Sequence, residues 1–342
     1  MKYSTYKKLL FVAVVCVSAN LQAQEQPQLK LVKALQIAPL SNGNHLEISG
    51  SAEVTTKKTN DGKNEETEIV FVSSNSGNLG IYMLPKSSNG LQSFIDMSTM
   101  GFEKYGNTDK RKSLNLQGLA VCEYPKKNDA NKFRTVFLVN GNNQSIFKMT
   151  YTKAVPNPSP SDIEAKKAEK YGSFTGIAVD CKNGEAIYVS TNKGAILHVN
   201  LDGNIQVVFD SSEWGKQHNF TDLYVVNGDF FALEKNEAKI FQFHPIMDIS
   251  GADFGENVTL EGFSVTEYDY SPWEFLYGEE PVATAQSLLV WETAPGKFTF
   301  QIGYDNNGEV LNNKGLQALD PQSICNNDAC SNNPFVITLT QQ

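Results

Sequence analysis

Beyond its first two dozen residues the chain has no apolar run long enough to cross a bilayer as a helix, which argues against a helical membrane protein. Gly-x-Ser-x-Gly, a phosphate-cradling glycine loop, His-Glu-x-x-His and Cys-x-x-Cys are also absent, so the common hydrolase, nucleotide and zinc readings have no local support. Histidine is scarce: His45, His198, His218 and His244 are the whole supply in 342 residues, and they are scattered. Positive charge is in deficit, with 29 Lys and Arg against 38 Asp and Glu and a formal charge of -9. A surface of that sign repels nucleic acid and anionic lipid, so neither is an expected partner.

Cysteine is sparse as well, at five. The first, Cys16, lies in a stretch with the layout of a secretory signal peptide. Lys2, Lys7 and Lys8 precede the apolar run Leu9–Val17, and Leu21-Gln22-Ala23 offers a cleavage site. The expectation is a leader over residues 1–23 and a single exported domain over 24–342, periplasmic or extracellular. The leader carries three lysines and no acid, so the remainder is more acidic still. Cys122, Cys181, Cys325 and Cys330 remain, an even number that suits two bridges with three possible connectivities. Cys325 and Cys330 enclose four residues and are expected to staple a loop. For Cys122 and Cys181, a bridge between successive units and a pair of buried thiols both stay open.

What the sequence does contain is a repeated unit. Phe174–Phe209 holds four short runs rich in β-branched and aromatic residues, Ile177–Val179, Ala186–Val189, Ala195–Val199 and Ile205–Phe209. Asn183-Gly184, Lys193-Gly194 and Asp202-Gly203 separate them, and such dipeptides suit the φ > 0 positions of hairpin turns. Four runs joined by tight turns read as one antiparallel meander. Its first strand recurs as Glu47–Val54, Leu116–Val121, Phe174–Val179, Phe220–Val226, Ser271–Tyr277 and Asn313–Leu319, at intervals that fit blades of roughly 40 to 50 residues with variable loops. The fold expected is therefore all-β, a six-bladed β-propeller of four-stranded antiparallel blades. Only Gly315–Leu319 and Phe335–Thr340 remain for the last blade, so the strand-like Leu29–Ile37 at the N-terminus is expected to close it. Between the second and third units, prolines 156, 158 and 160 and the capping signal Ser161-Asp162 with Glu164 predict a short surface helix over Ile163–Lys170.

In a propeller the first strand of each blade lines a central channel, so ligand groups come from equivalent positions around the ring. A glycine column runs Gly50, Gly118, Gly176, Asp222, Glu274 and Gly315; the residues before it are Ser49, Gln117, Thr175, Thr221, Trp273 and Lys314. Gln117, Thr175, Thr221, Asp222, Trp273, Glu274 and Lys314 form the candidate binding mouth, with hydrogen-bonding groups around one aromatic. That preceding column holds no carboxylate, whereas calcium wants six to eight oxygens, several anionic. A metal site would have to draw on Glu47, Asp222 and Glu274. Asn115, Asn219 and Asn312 share a column with Glu47, and His218 beside Asn219 could act as base or ligand near neutral pH. The plainer reading of these groups is turn capping at strand starts.

Glu47-Ile48-Ser49-Gly50 and Leu116-Gln117-Gly118-Leu119-Ala120 make the chain resemble six-bladed propellers of the NHL, SMP-30/gluconolactonase and SdiA-regulated kinds. The SMP-30 resemblance implies a divalent metal held by Glu, Asn or Asp just before the glycines. Ser49, Gln117 and Thr175 stand there instead, which weighs against a metal-dependent lactonase. The expected function is thus an exported binding or scaffold protein, without cofactor, that holds a small polar molecule or a partner's loop. The alternative is a calcium-dependent esterase or lactonase.

Overall fold

The computed structural model describes residues 27–37, 48–58, 65–73, 80–84, 92–96, 115–124, 132–142, 144–152, 154–155, 158–182, 185–245, 262–273, 276–277, 280–281, 284–305 and 334–342. The first strand, β1 (Leu29–Gln36), belongs to the last blade. Blade one is β2 (Ser51–Lys58), β3 (Glu65–Ser73), β4 (Gly80–Leu84) and β5 (Gln92–Asp96). Blade two follows as β6 (Leu116–Glu123), β7 (Lys132–Asn140), β8 (Ser145–Thr152) and β9 (Ser161–Glu164). The repeat unit of the sequence forms blade three: β10 (Phe174–Asp180), β11 (Ala186–Thr191), β12 (Ala195–Val199) and β13 (Ile205–Asp210). Blade four is β14 (Phe220–Val226), β15 (Asp229–Glu234), β16 (Lys239–Pro245) and β17 (Phe263–Asp269). A two-stranded excursion, β18 (Leu276–Tyr277) with β19 (Glu280–Pro281), leads to β20 (Thr284–Ala294), β21 (Lys297–Asp305) and β22 (Phe335–Gln341).

Each of the first four blades is an antiparallel meander in chain order, and the last has the order β20, β21, β22, β1. The N-terminal strand is therefore its outermost, running from Leu29 opposite Gln341 to Gln36 opposite Phe335. Closure by both ends of the chain holds as expected from the sequence. The blade number does not: the described residues form five four-stranded sheets rather than six. The inner strands β2, β6, β10, β14 and β20 lie side by side in that order, with β20 returning to β2.

One sequence unit, Ser271–Tyr277, accounts for part of the difference. Ser271–Trp273 is a 3-10 turn and Leu276–Tyr277 only a two-residue strand. Pro272 has no N–H to give a ladder, so this stretch makes a poor inner strand. The inner strand of blade five is β20 instead, and Phe335–Thr340 falls in its third strand, so the expected fifth and sixth blades merge. Asn313–Leu319 lies outside the described residues. The helix expected over Ile163–Lys170 is also replaced. Ser161–Glu164 is the outer strand of blade two, with Ile163 buried between exposed neighbours, and only Glu169–Tyr171 makes a 3-10 turn.

Blades pack face to face, so successive side chains of an inner strand go to different cores. In β6, Leu119 and Val121 join the core between blades one and two, whereas Ala120 and Cys122 join that between blades two and three. Similar clusters fill the junctions of blades three and four, four and five, and five and one. The junction of blades three and four is rich in phenylalanine: Phe209, Phe220, Phe241 and Phe243 are all buried there, each worth about 1.5–3 kcal/mol of transfer free energy.

The glycine column explains how the inner strands approach so closely. A Cβ on Gly50 would lie 2.5 Å from Gly118 Cα, one on Gly118 2.8 Å from Gly176 Cα, and one on Gly176 2.5 Å from Asp222 Cα. Backbone touches backbone there, and the Gly118 N–H donates to the Ser49 carbonyl at 2.7 Å. The recurrent glycine is a packing requirement of the ring.

Candidate functional site

The glycine column narrows the channel at the N-terminal ends of the inner strands. On its C-terminal side a partly open cavity of about 610 Å³ is walled by all five blades, through Ala52 and Glu53, Leu119–Val121, Ile177–Lys182, Tyr224–Gly228, and Val290. Because each inner strand has a ladder partner on one side only, its other edge turns N–H and C=O groups toward this space. The cavity thus presents backbone donors and acceptors together with the side chains of Glu53, Asp180, Lys182, Tyr224 and Asn227.

Tyr224 and Glu53 stand out among these. Burial raises the pKa of the Tyr224 hydroxyl, and the negative charges of Glu53 and Asp222 push it further in the same direction. The phenol stays protonated at physiological pH and can donate. Glu53 is half-buried, and no Lys, Arg or His among the described residues forms an ion pair with it. Asp180 accepts from the Lys182 backbone N–H at 3.1 Å, which forms the turn at the cavity rim. Beside it Cys181 is joined to Cys122, so a disulfide between blades two and three forms part of the wall. Of the two readings left open for these cysteines, the structure shows the bridge.

The residues expected at the channel mouth sit on or before the glycine column, away from this cavity, and most are engaged in the framework. The Gln117 carboxamide donates to Asn115 Oδ1 at 2.8 Å. The Thr175 hydroxyl donates to the Phe220 carbonyl at 2.6 Å and lies 3.2 Å from Ser190 Oγ. Thr221 is buried, its hydroxyl 3.4 Å from the Leu233 carbonyl. Trp273 packs against the core between blades four and five, and its carbonyl accepts from the Tyr304 hydroxyl. Gln117, Thr175 and Thr221 thus spend hydrogen bonds on the framework, and Trp273 spends its ring on a core. Glu47, Glu274, Lys314, Cys325 and Cys330 lie outside the described residues.

Asp222 is 1% exposed, and its two oxygens accept from Leu223 N at 2.9 Å and Leu288 N at 2.7 Å. Burial raises its pKa well above the usual carboxylate value, against the opposing pull of those two amides. It links blade four to blade five at the point where the earlier blades meet through glycine. A calcium site through Asp222 would have to reach a carboxylate that is buried and already accepts one backbone N–H on each oxygen. Among the described residues no group of three His, Cys, Asp and Glu is placed to hold a metal ion.

His218 is likewise a framework residue. It is 5% exposed, faces Trp214 and Phe241 edge-on, and has Nδ1 4.0 Å from Glu237 Oε1. Burial lowers its pKa although Glu234 and Glu237 pull the other way, so the ring is neutral near pH 7. Asn219 donates its backbone N–H to Glu234 Oε1, and the Asn115 N–H donates to Asn140 Oδ1, so the side chains that cap these two positions are Glu234 and Asn140.

No signal in the sequence singled out Glu53 or Tyr224, because both lie inside inner strands rather than at the turn-proximal column. A polar residue at the third or later position of an inner strand, where packing against neighbouring blades calls for small or apolar groups, is the signal that finds them.

No protein-family model matches the chain, and no curated protein matches it by sequence. Similar solved structures include glutaminyl cyclase from Myxococcus xanthus, 11% identical with a TM-score of 0.45, covering 93% of this chain and 98% of that one. The PQQ-bound aldose sugar dehydrogenase from Streptomyces coelicolor is 8% identical, with a TM-score of 0.40 and coverage of 93% and 99%. A putative glucose dehydrogenase from Thermus thermophilus is 9% identical, with a TM-score of 0.38 and coverage of 92% and 99%. None of these likenesses carries a site or a substrate to this chain. The NHL and SMP-30 resemblance of the opening motifs reaches no further than the propeller pattern.

Proposed function

We propose that this propeller is an exported binding protein that holds a small molecule, or the tip of a partner's loop, in the channel cavity on the C-terminal side of the glycine column. The observation that carries the reading is the cavity itself, about 610 Å³ and walled by the inner strands, with Glu53, Asp180 and Tyr224 among its lining residues and Asn227 held to Glu292 at its edge. Concave sites with a few convergent polar groups on a rigid frame suit recognition. Export rests on the basic, apolar N-terminal stretch and agrees with a disulfide bridge, since such bonds persist in oxidising compartments. The calcium-dependent esterase or lactonase reading has less support, because Asp222 already serves two backbone amides.

A thermal-shift experiment on the full chain with glucose, N-acetylglucosamine, 1,4-butanediol and putrescine as probes tests the site. At least one should raise the melting midpoint, and the shift should vanish in Tyr224→Leu and persist in Thr175→Ala. The reverse pattern would return the site to the other mouth of the channel. No shift with any probe would overturn the small-molecule reading.

A further inference from the structure

Resting on that reading, we infer that the cavity selects a small organic cation, a compound carrying a primary ammonium group, with Glu53 as its counter-charge and Tyr224 as its aromatic neighbour. Glu53 is half-buried in a concave, partly enclosed space and has no cationic partner among the described residues. A carboxylate in that setting is poorly solvated compared with one on an open surface, so an ammonium group beside it gains more than it would outside. Focusing of the field by low-dielectric walls acts in the same direction.

Tyr224 completes the selectivity. Its ring packs in part against the core between blades four and five and also lines the cavity near Glu53, so the part of the ring that faces the cavity can meet a cation whose N–H groups point to the carboxylate. Carbonyls on the inner-strand edges that have no ladder partner can accept further N–H donors, and an ammonium has three to give. A hydroxyl has one. Lys182, the cation of the wall, is exposed at the rim next to Asp180 and leaves the Glu53 side of the cavity negative.

Calorimetric titration of putrescine against its neutral counterpart 1,4-butanediol tests this with the full chain. Putrescine should bind at least tenfold more tightly, and its affinity should fall about tenfold on raising salt from low to physiological strength or higher, as a screened charge contact does. Glu53→Gln should erase the preference, Glu53→Asp should keep part of it, and Tyr224→Phe should retain more affinity than Tyr224→Leu. Far-UV circular dichroism melts check that the variants remain folded. Equal binding of the two probes, or a preference untouched by Glu53→Gln, overturns the cation assignment while leaving the cavity reading intact; the absence of binding by all four probes overturns both.

Discussion

Asp222 occupies a position where three of the other blades carry glycine, and its carboxylate does for blade five what close backbone contact does elsewhere in the ring. The Asp222→Asn substitution tests that role. A carboxamide offers one acceptor oxygen and one NH₂, so either the Leu223 or the Leu288 amide must face a donor; the expected cost is about 1–3 kcal/mol. The pH dependence has a definite sign. For an acid whose folded pKa lies above its unfolded value, the native state holds the extra proton between the two. This group's contribution to stability is therefore greatest at low pH and declines as pH rises from its ordinary value near 3.8 towards the raised folded value. Urea melts across that range should show a decline in the wild type that is absent from Asp222→Asn. A wild-type profile that rises with pH and matches the variant's would count against it.

Much of the element order was legible because propeller blades repeat turn chemistry. Four of the inner strands and the closing β1 follow from β-branched runs and turn dipeptides, signals that depend on local backbone preference. Two readings failed where a local signal competed with a distant need. At Ser161–Glu164 the proline run and capping pair resembled a helix start, but β8 would have been left as an exposed edge, and β9 covers it by pairing Ile163 with Ile146. At Ser271–Trp273 a resemblance to the repeat register hid a proline that cannot feed a ladder. The cavity was less legible than the fold. Register along an inner strand decides which residues face the cavity, and turn-based alignment ends where the strand begins.

The N-terminal strand offers the test at this scale. β1 covers the outer edge of β22 through seven paired positions, and Ala34 is buried in the core between blades four and five. Deleting residues 29–37 should expose that edge and part of Ile337 and Leu339's surroundings, lowering the melting midpoint of the whole propeller because every blade leans on its neighbours. Equal midpoints for the deleted and full chains would show that the ring closes without it.

At the scale of the molecule, the five blades that the described residues form close on themselves, and β1 and β22 meet at the junction most open to unravelling. The Cys122–Cys181 bridge stands away from that junction, tying the inner strand of blade two to the turn after the inner strand of blade three across a sequence separation of 59. In the chain-entropy account a loop of that length is worth on the order of 4 kcal/mol, acting on the unfolded chain. Its second effect is local, because it holds one wall of the channel cavity at fixed width. Replacing both cysteines by serine should therefore lower the melting midpoint by several degrees and also weaken putrescine binding. A variant that only destabilises the chain would bind normally once studied well below its midpoint. Loss of affinity at low temperature in a fully folded Cys122→Ser, Cys181→Ser protein is the expected result, and unchanged affinity under those conditions would confine the bridge to stability alone.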